Sequence, residues 1–338
     1  MLRWKYSRPL LGVLLFVLAI APLLGENPLS RPGLQQTLAV AFIYGGLALT
    51  YDLLFGFTGL LSFGHAFFFA SGIYLTCIFI NYEVFPWYLA MVAAIFVTAI
   101  LAALIGAASL RTKGITFAMV TLAFAGAGHV IVNRNFFGLT GGEYGIALNA
   151  DLVPQFWIGV VNTKYLYWTS LFALIVVYLV IWWVTDSSAG RVFAALRDNE
   201  QRVQVLGLNP QRFKLLSFVI AGTLAGFLGV VMLLASGSAA PRFAEASLTI
   251  ALLLMVILGG AVTRWGAVLG GILYSISTTR MQDLTQNSVF KDLPKAIGGP
   301  LSEPALTLGI LFILVVMFAP GGLSGAYYKL RARAISKK

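Results

Sequence analysis

Apolar residues run through this chain in long unbroken blocks instead of alternating with polar ones. The blocks lie at about 9–25, 35–55, 59–80, 87–110, 114–132, 165–184, 214–235, 247–263, 266–280 and 304–320. Crossing ~30 Å of hydrocarbon at 1.5 Å per residue takes roughly 20 mostly apolar residues. The pattern therefore predicts an all-α polytopic membrane protein with about ten transmembrane segments. A β-barrel would show alternating decamers, and the runs here are continuous. The third and ninth segments each follow a tight glycine turn, Gly56-Phe57-Thr58-Gly59 and Gly259-Gly260 through Gly266. Both are candidates for broken or re-entrant helices, which are tolerable at that depth only where they face protein or water.

Composition narrows the class further. Of 338 residues, 59% are hydrophobic and 10% charged, against about 25% charged in soluble domains. That excludes a water-soluble enzyme and a disordered chain. With Cys77 as the only cysteine, an intramolecular disulfide or a multi-cysteine metal site is excluded as well.

Charge orients the segments. Alternation from a cytoplasmic N-terminus puts sixteen Lys and Arg inside and seven outside, and returns the C-terminus to the cytoplasm. This satisfies the positive-inside rule. The acids divide four inside and eight outside, so the formal charge of +11 becomes +12 inside and −1 outside. The basic excess is thus accounted for by orientation and anionic lipid, and no nucleic-acid partner is implied. The first block could be read as a signal peptide ending at Ala19-Ile20-Ala21, but Pro22 just after that point disfavours cleavage. It is expected to be a retained span.

The chain reads as one transmembrane domain over 1–338, since no polar block is long enough for a soluble domain. Two outer segments, 133–164 and 281–303, and one inner segment, 185–213, are longer than the other connections. Small residues at helical spacing, Gly222/Gly226/Gly229 and Gly106 with Ala102, Ala103 and Ala107, suit close helix packing.

The inner segment from Asp186 to Gly207 starts with cap-type residues and ends in a glycine suited to a helix C-terminus. Val192, Leu196, Val203 and Leu206 form a partial apolar stripe, and Asp198 can pair with Arg202 one turn on. From the residues alone it is either an amphipathic helix resting on lipid headgroups or a docking element.

Several motifs carry a resemblance at this point. They are Gly56-Phe-Thr-Gly-Leu-Leu-Ser-Phe-Gly-His65 with Gly72 and Tyr74, Phe117-Ala-Met-Val-Thr-Leu-Ala123 and Leu139-Thr-Gly-Gly-Glu-Tyr-Gly145. Gly190-Arg191, Leu196-Arg-Asp-Asn-Glu200, Leu206-Gly207, Phe213-Lys-Leu-Leu-Ser-Phe218 and Ala319-Pro-Gly-Gly-Leu323 follow in order. Together they resemble the permease subunits of the branched-chain amino acid ABC importer family, LivM type, over about residues 50–325. The resemblance implies a multi-pass subunit of the bacterial inner membrane. Its expected partners are a second homologous permease, two ATPase subunits holding ATP and Mg, a periplasmic substrate-binding protein and membrane lipid.

The resemblance also makes 185–213 a cytoplasmic coupling element, with Gly190, Arg191, Val192, Leu196, Arg197, Asp198, Asn199, Glu200 and Gly207 facing an ATPase. Arg191 and Arg197 would contact it by charge, and Val192 and Leu196 would fill its groove. No G-x-x-x-x-G-K-[ST] loop occurs in the chain, so it is not expected to be an enzyme or to carry a cofactor of its own. Candidates for a path or gate are Gly56, Gly59, Ser62, Gly64, His65, Thr116, Thr121, Thr140, Gly141 and Gly142.

Each candidate has a plainer alternative. His65 serves equally as a hydrogen-bonded packing group, Asp52 as a capping carboxylate, and Thr140-Gly141-Gly142 as an ordinary turn. The expected cargo is a branched-chain or related small amino acid, with urea or short amides as alternatives. An ion-coupled transporter is disfavoured because no acid falls clearly at mid-membrane. A membrane enzyme is disfavoured because no paired carboxylates or histidine cluster appear.

Overall fold

The structure is a computed structural model that describes residues 31–135, 138–157 and 162–286, with 309–310, 313, 317 and 321–327 nearer the C-terminus. The first expected span, almost all of the tenth and both chain ends lie outside the described residues.

Helix α1, Pro32–Asp52, starts on a proline that needs no N–H partner and runs straight into a π-helical turn, Leu53–Thr58. Irregular chain follows to Gly64, and α2 spans His65–Asn81. Next come α3, Trp87–Ser109, and α4, Ile115–Arg134. After the outer loop come α5, Thr163–Asp186, then the short α6, Ser188–Asp198, and α7, Glu200–Val205. The chain returns through α8, Pro210–Ser236, α9, Ala246–Gly259, and α10, Arg264–Gln286. A two-residue antiparallel pair, β1 Ile146–Ala147 with β2 Ser238–Ala239, ties the outer loop to the end of α8.

Five of these elements are long and apolar enough to cross a membrane: α1 with its π turn, α3, α4, α5 and α8. Helices α2 and α9 are apolar but shorter. The central pair is α1 and α8, whose spans are 78% and 72% buried, whereas α3 and α4 are 28% buried. On α3 the exposed residues Leu89, Val92, Phe96, Ile100 and Leu104 recur every three or four positions, a face suited to lipid or another subunit.

The glycines explain how the core closes. A Cβ on Gly72 would overlap the carbonyl of Gly226, and one on Gly229 would overlap that of Phe69. The α2–α8 crossing is therefore backbone against backbone. Gly222 likewise accommodates Ala102 and Phe68, and Gly106 accommodates Phe218 and Leu215.

One of the two suspected breaks is present, and two other segment expectations change. The third block is broken at 59–64, so its helix starts only at His65. The ninth, expected to be interrupted, is one continuous helix over the described backbone, and it runs past 281 into what was expected to be irregular outer chain. The eighth block is the short one, 14 residues in α9. Hydropathy misses this because the turn Gly260–Val262 is as apolar as the helix before it.

Overpacking a close helix contact costs about 1–3 kcal/mol or more. Gly72→Val should therefore lower the yield and melting temperature of the detergent-solubilised protein. Gly126→Ala, where a Cβ meets nothing within 4 Å, should melt with the wild type.

Candidate functional site

The 185–213 segment folds as two helices, not one. Ser187 caps α6 by accepting from Gly190 N at 3.4 Å, and Gly190 is required because a Cβ would strike the Thr185 backbone. Asn199 is extended, at φ −163° and ψ 108°, and caps α7 by accepting from Arg202 N at 3.1 Å. This break removes the expected Asp198–Arg202 pairing, because the two residues no longer share a helix. Asp198 lies 3.5 Å from Arg197 instead. Gly207 ends the element at φ +79°.

The inward and outward faces of this pair differ from expectation. Leu196 is buried in the chain's own interior along with Phe193 and Val203, so it cannot fill a partner's groove. Val192 is half-buried. The apolar side chains left outside are Val205, 88% exposed, and Leu206, 75% exposed. Arg191 is exposed, with no carboxylate within 4.0 Å among the described residues. Arg197 instead turns inward and donates from Nη1 to the Gly56 carbonyl at 2.9 Å. Gly59, at φ +78°, passes so close to Arg197 that a side chain there would collide with it.

Behind that contact sits Asp52, fully buried. Its Oδ1 accepts from Val262 N at 3.0 Å, and the charge of Arg197 acts on it from nearby. Its Oδ2 has no hydrogen-bond partner among the described residues. Val262 holds φ +66°, a costly conformation for a β-branched residue. On the far side of this turn, Thr263 Oγ1 donates to the Gly260 carbonyl and lies 3.0 Å from Ser324 Oγ. Gly322 fits against the Gly260 backbone where a Cβ would not. Arg264 completes the corner with an ion pair to Asp186 at 2.8 Å. A run of contacts thus joins α6, the Gly56 turn, Asp52, the 260–263 turn and the Gly321–Ser324 segment.

Further into the membrane, polar side chains serve the broken segment. Thr121 Oγ1 accepts from Phe63 N at 3.0 Å and donates to Ala118 O at 2.9 Å, and Thr249 Oγ1 accepts from Ala66 N at 3.0 Å. Ser62 Oγ accepts from Gly64 N at 3.2 Å, and Gly64 packs on the Thr121 backbone. Thr50 spends its proton on the Leu47 carbonyl at 2.7 Å, which leaves its oxygen to accept from His65 Nε2 at 2.8 Å. Gly56, Ser62, Gly64, His65 and Thr121 are all buried, whereas Gly59 and Thr116 are exposed.

At the outer face, Thr140 donates to Val132 O at 2.7 Å, and its N–H bonds Asn135 Oδ1 at 2.8 Å. Gly141 and Gly145 allow backbones to meet at positive φ. This turn locks the end of α4. Beside it Tyr144 is 99% exposed.

An open groove of about 360 Å³ lies between Lys113, Glu200 and the 207–211 turn. Sequence reasoning missed Val262, Ser324 and Lys214. Only the Gly-Gly turns around the first two hinted at close contacts.

The architecture is that of a mostly helical, multi-pass membrane protein. The family described as branched-chain amino acid transport system, permease component, matches residues 33–319. The chain belongs to that family and is a transport permease of the ABC importer class. Its relatives include the high-affinity branched-chain amino acid transport system permease proteins LivM of Salmonella typhimurium, 27% identical, and of Escherichia coli K12, 28% identical. Each alignment covers 85% of this chain and 68% of the relative. The Pseudomonas aeruginosa protein BraD is 24% identical over 86% of this chain and 94% of its own. A solved structure, PsaBC from Streptococcus pneumoniae in complex with Fab, superposes with a TM-score of 0.45 at 12% identity over 94% of this chain and 99% of that one. That likeness is too slight to bear on the fold.

Glu200 offers a test of this corner. Burial pushes its carboxyl up, but Lys214 at 2.8 Å and Lys113 at 3.6 Å outweigh burial and hold it below its ordinary value of 4.5. A depressed carboxyl stabilises fully above that ordinary value and loses its contribution as pH falls through the lower folded one. Limited proteolysis of 185–213 should therefore stay slow at neutral pH and accelerate only as pH falls below the ordinary value of 4.5. Glu200→Gln should cleave faster at neutral pH and show less of that acid dependence.

Proposed function

We propose that this chain is the membrane-spanning permease subunit of an ATP-driven importer for branched-chain or related small amino acids in the bacterial inner membrane. A second homologous permease completes the pore, two ATPase subunits bind ATP and Mg, and an external protein delivers the solute. The observation that carries this reading is the α6–α7 pair. It is anchored inward through Arg197 on the Gly56 carbonyl and leaves Arg191, Arg202, Val205 and Leu206 outside.

A purely lipid-resting helix would put its apolar residues on one continuous face. Here the outward apolar pair sits at the end of α7 beside charged residues, while Phe193, Leu196 and Val203 are already buried. That arrangement suits a protein groove. Force applied there would reach the 56–64 segment directly, because Arg197 touches both Gly56 and Gly59. Alternating access then amounts to shifting this broken segment against α8 and α9. The sequence relatives support branched-chain amino acids as the cargo, since they are named for that transport.

Co-purification should recover two ATPase copies and a second permease with this chain, and isolation without either would count against the proposal. Leu206→Glu should keep the chain in the membrane but weaken ATPase retention about tenfold, equivalent to about 1.4 kcal/mol, with uptake falling in step. Undiminished retention in a pull-down would refute the docking role.

A further inference from the structure

The connection between α8 and α9 dips far below the outer surface. Asn81, at the outer end of α2, marks that surface: its side chain bonds Ala147 O at 2.7 Å and Asn149 N at 2.9 Å in the outer loop. Strand β2 pairs with β1 at this level. The chain then descends alongside α2. The ring of Phe243 meets that of Phe69 at 5.9 Å, and Thr249 bonds Ala66. At 1.5 Å per residue, Phe69 and Ala66 lie about 18 and 22 Å along α2 from Asn81. Arg242, three residues beyond β2, therefore lies between these levels, at most about 11 Å below β2 at 3.3–3.6 Å per residue, and Glu245 lies deeper. The 14-residue α9 that follows is correspondingly too short to span ~30 Å from the outer face.

A charge at that depth is costly unless it faces water, a cavity or an opposite charge. Arg242 is exposed, stacks only on its neighbour Phe243 at 5.1 Å, and has no carboxylate within 4.0 Å among the described residues. Its charge reaches the hydroxyl of Tyr44, midway along α1. Three residues on, Glu245 stands just before α9, half-buried, and accepts from Ser247 Oγ at 2.9 Å. The cation and the anion are close in sequence and are not paired with each other.

We infer that Arg242 and Glu245 form a contact point for a zwitterionic α-amino acid in the translocation path, Arg242 taking the carboxylate and Glu245 the ammonium. A guanidinium matches a carboxylate with two parallel N–H bonds. A side-chain amide or urea carries no charge to match either residue. The inference rests on the amino-acid transport reading above.

The test is uptake of a branched-chain amino acid by the full importer, purified with its partner subunits and reconstituted in vesicles with its external binding protein. Arg242→Gln should lower uptake about tenfold or more, while the variant still co-purifies with its partners. Arg242→Lys, which keeps the charge, should transport clearly better than Arg242→Gln. Full uptake by Arg242→Gln, or a Lys variant no better than the Gln variant, overturns the site while leaving the transport reading intact. A wild-type complex that moves urea or an amide but no amino acid overturns both. If the Gln variant does not assemble, Glu245→Gln carries the same test: a tenfold loss of uptake supports the site and wild-type uptake overturns it.

Discussion

A backbone N–H or carbonyl in hydrocarbon must find its partner inside the protein, because no water is there to take its place. Most of this chain meets that demand with helices. Two segments at membrane depth, 59–64 and 241–245, are not α-helical, and their surroundings are built around that fact. Side chains of Thr121, Ser62 and Thr249 take up the N–H groups of Phe63, Gly64 and Ala66. The π turn before them closes with Leu60 N on Leu54 O at 2.8 Å. In consequence α2 begins deep in the membrane, joined to the first turns of α9 by the Thr249–Ala66 bond.

The existence of most helices was legible because burial in lipid needs only length and apolarity. What was illegible follows from the same cause. Where everything is apolar, hydropathy cannot tell a helix from the irregular chain that interrupts it, so the ninth block was suspected of a break that the eighth carries. Only glycine flagged the real break at 59–64. The depth of Arg242 was hidden for a related reason: two charges between apolar blocks read as a surface connection, and only the Phe243–Phe69 contact places them lower.

In the 185–213 segment the cap-type residues at its start were readable, Ser187 among them, but Asn199 is a second cap and means a second helix. The turn at Asn199 rotates α7 relative to α6, so the stripe of Val192, Leu196, Val203 and Leu206 never forms one face. Leu196 and Val203 go inward and Leu206 goes out. Periodicity extrapolated through a cap residue fails in this way. Arg197 could not be assigned to a partner or to its own chain from spacing alone. The carbonyl it bonds, on Gly56, is 141 residues away in sequence.

A permease that relies on an external protein for affinity has no need of a tight internal site, and tight binding there would slow release. An unpaired cation and anion on short connecting chain meet that requirement better than an enclosed pocket would. Each is held from one side only, so a solute can be oriented without being trapped. The same connection is tied through Thr249 to the start of α2, and through the 59–64 segment to Arg197. Motion of the cytoplasmic helices therefore has a contiguous route, made of packed backbone and named hydrogen bonds, to the level where the two charges lie.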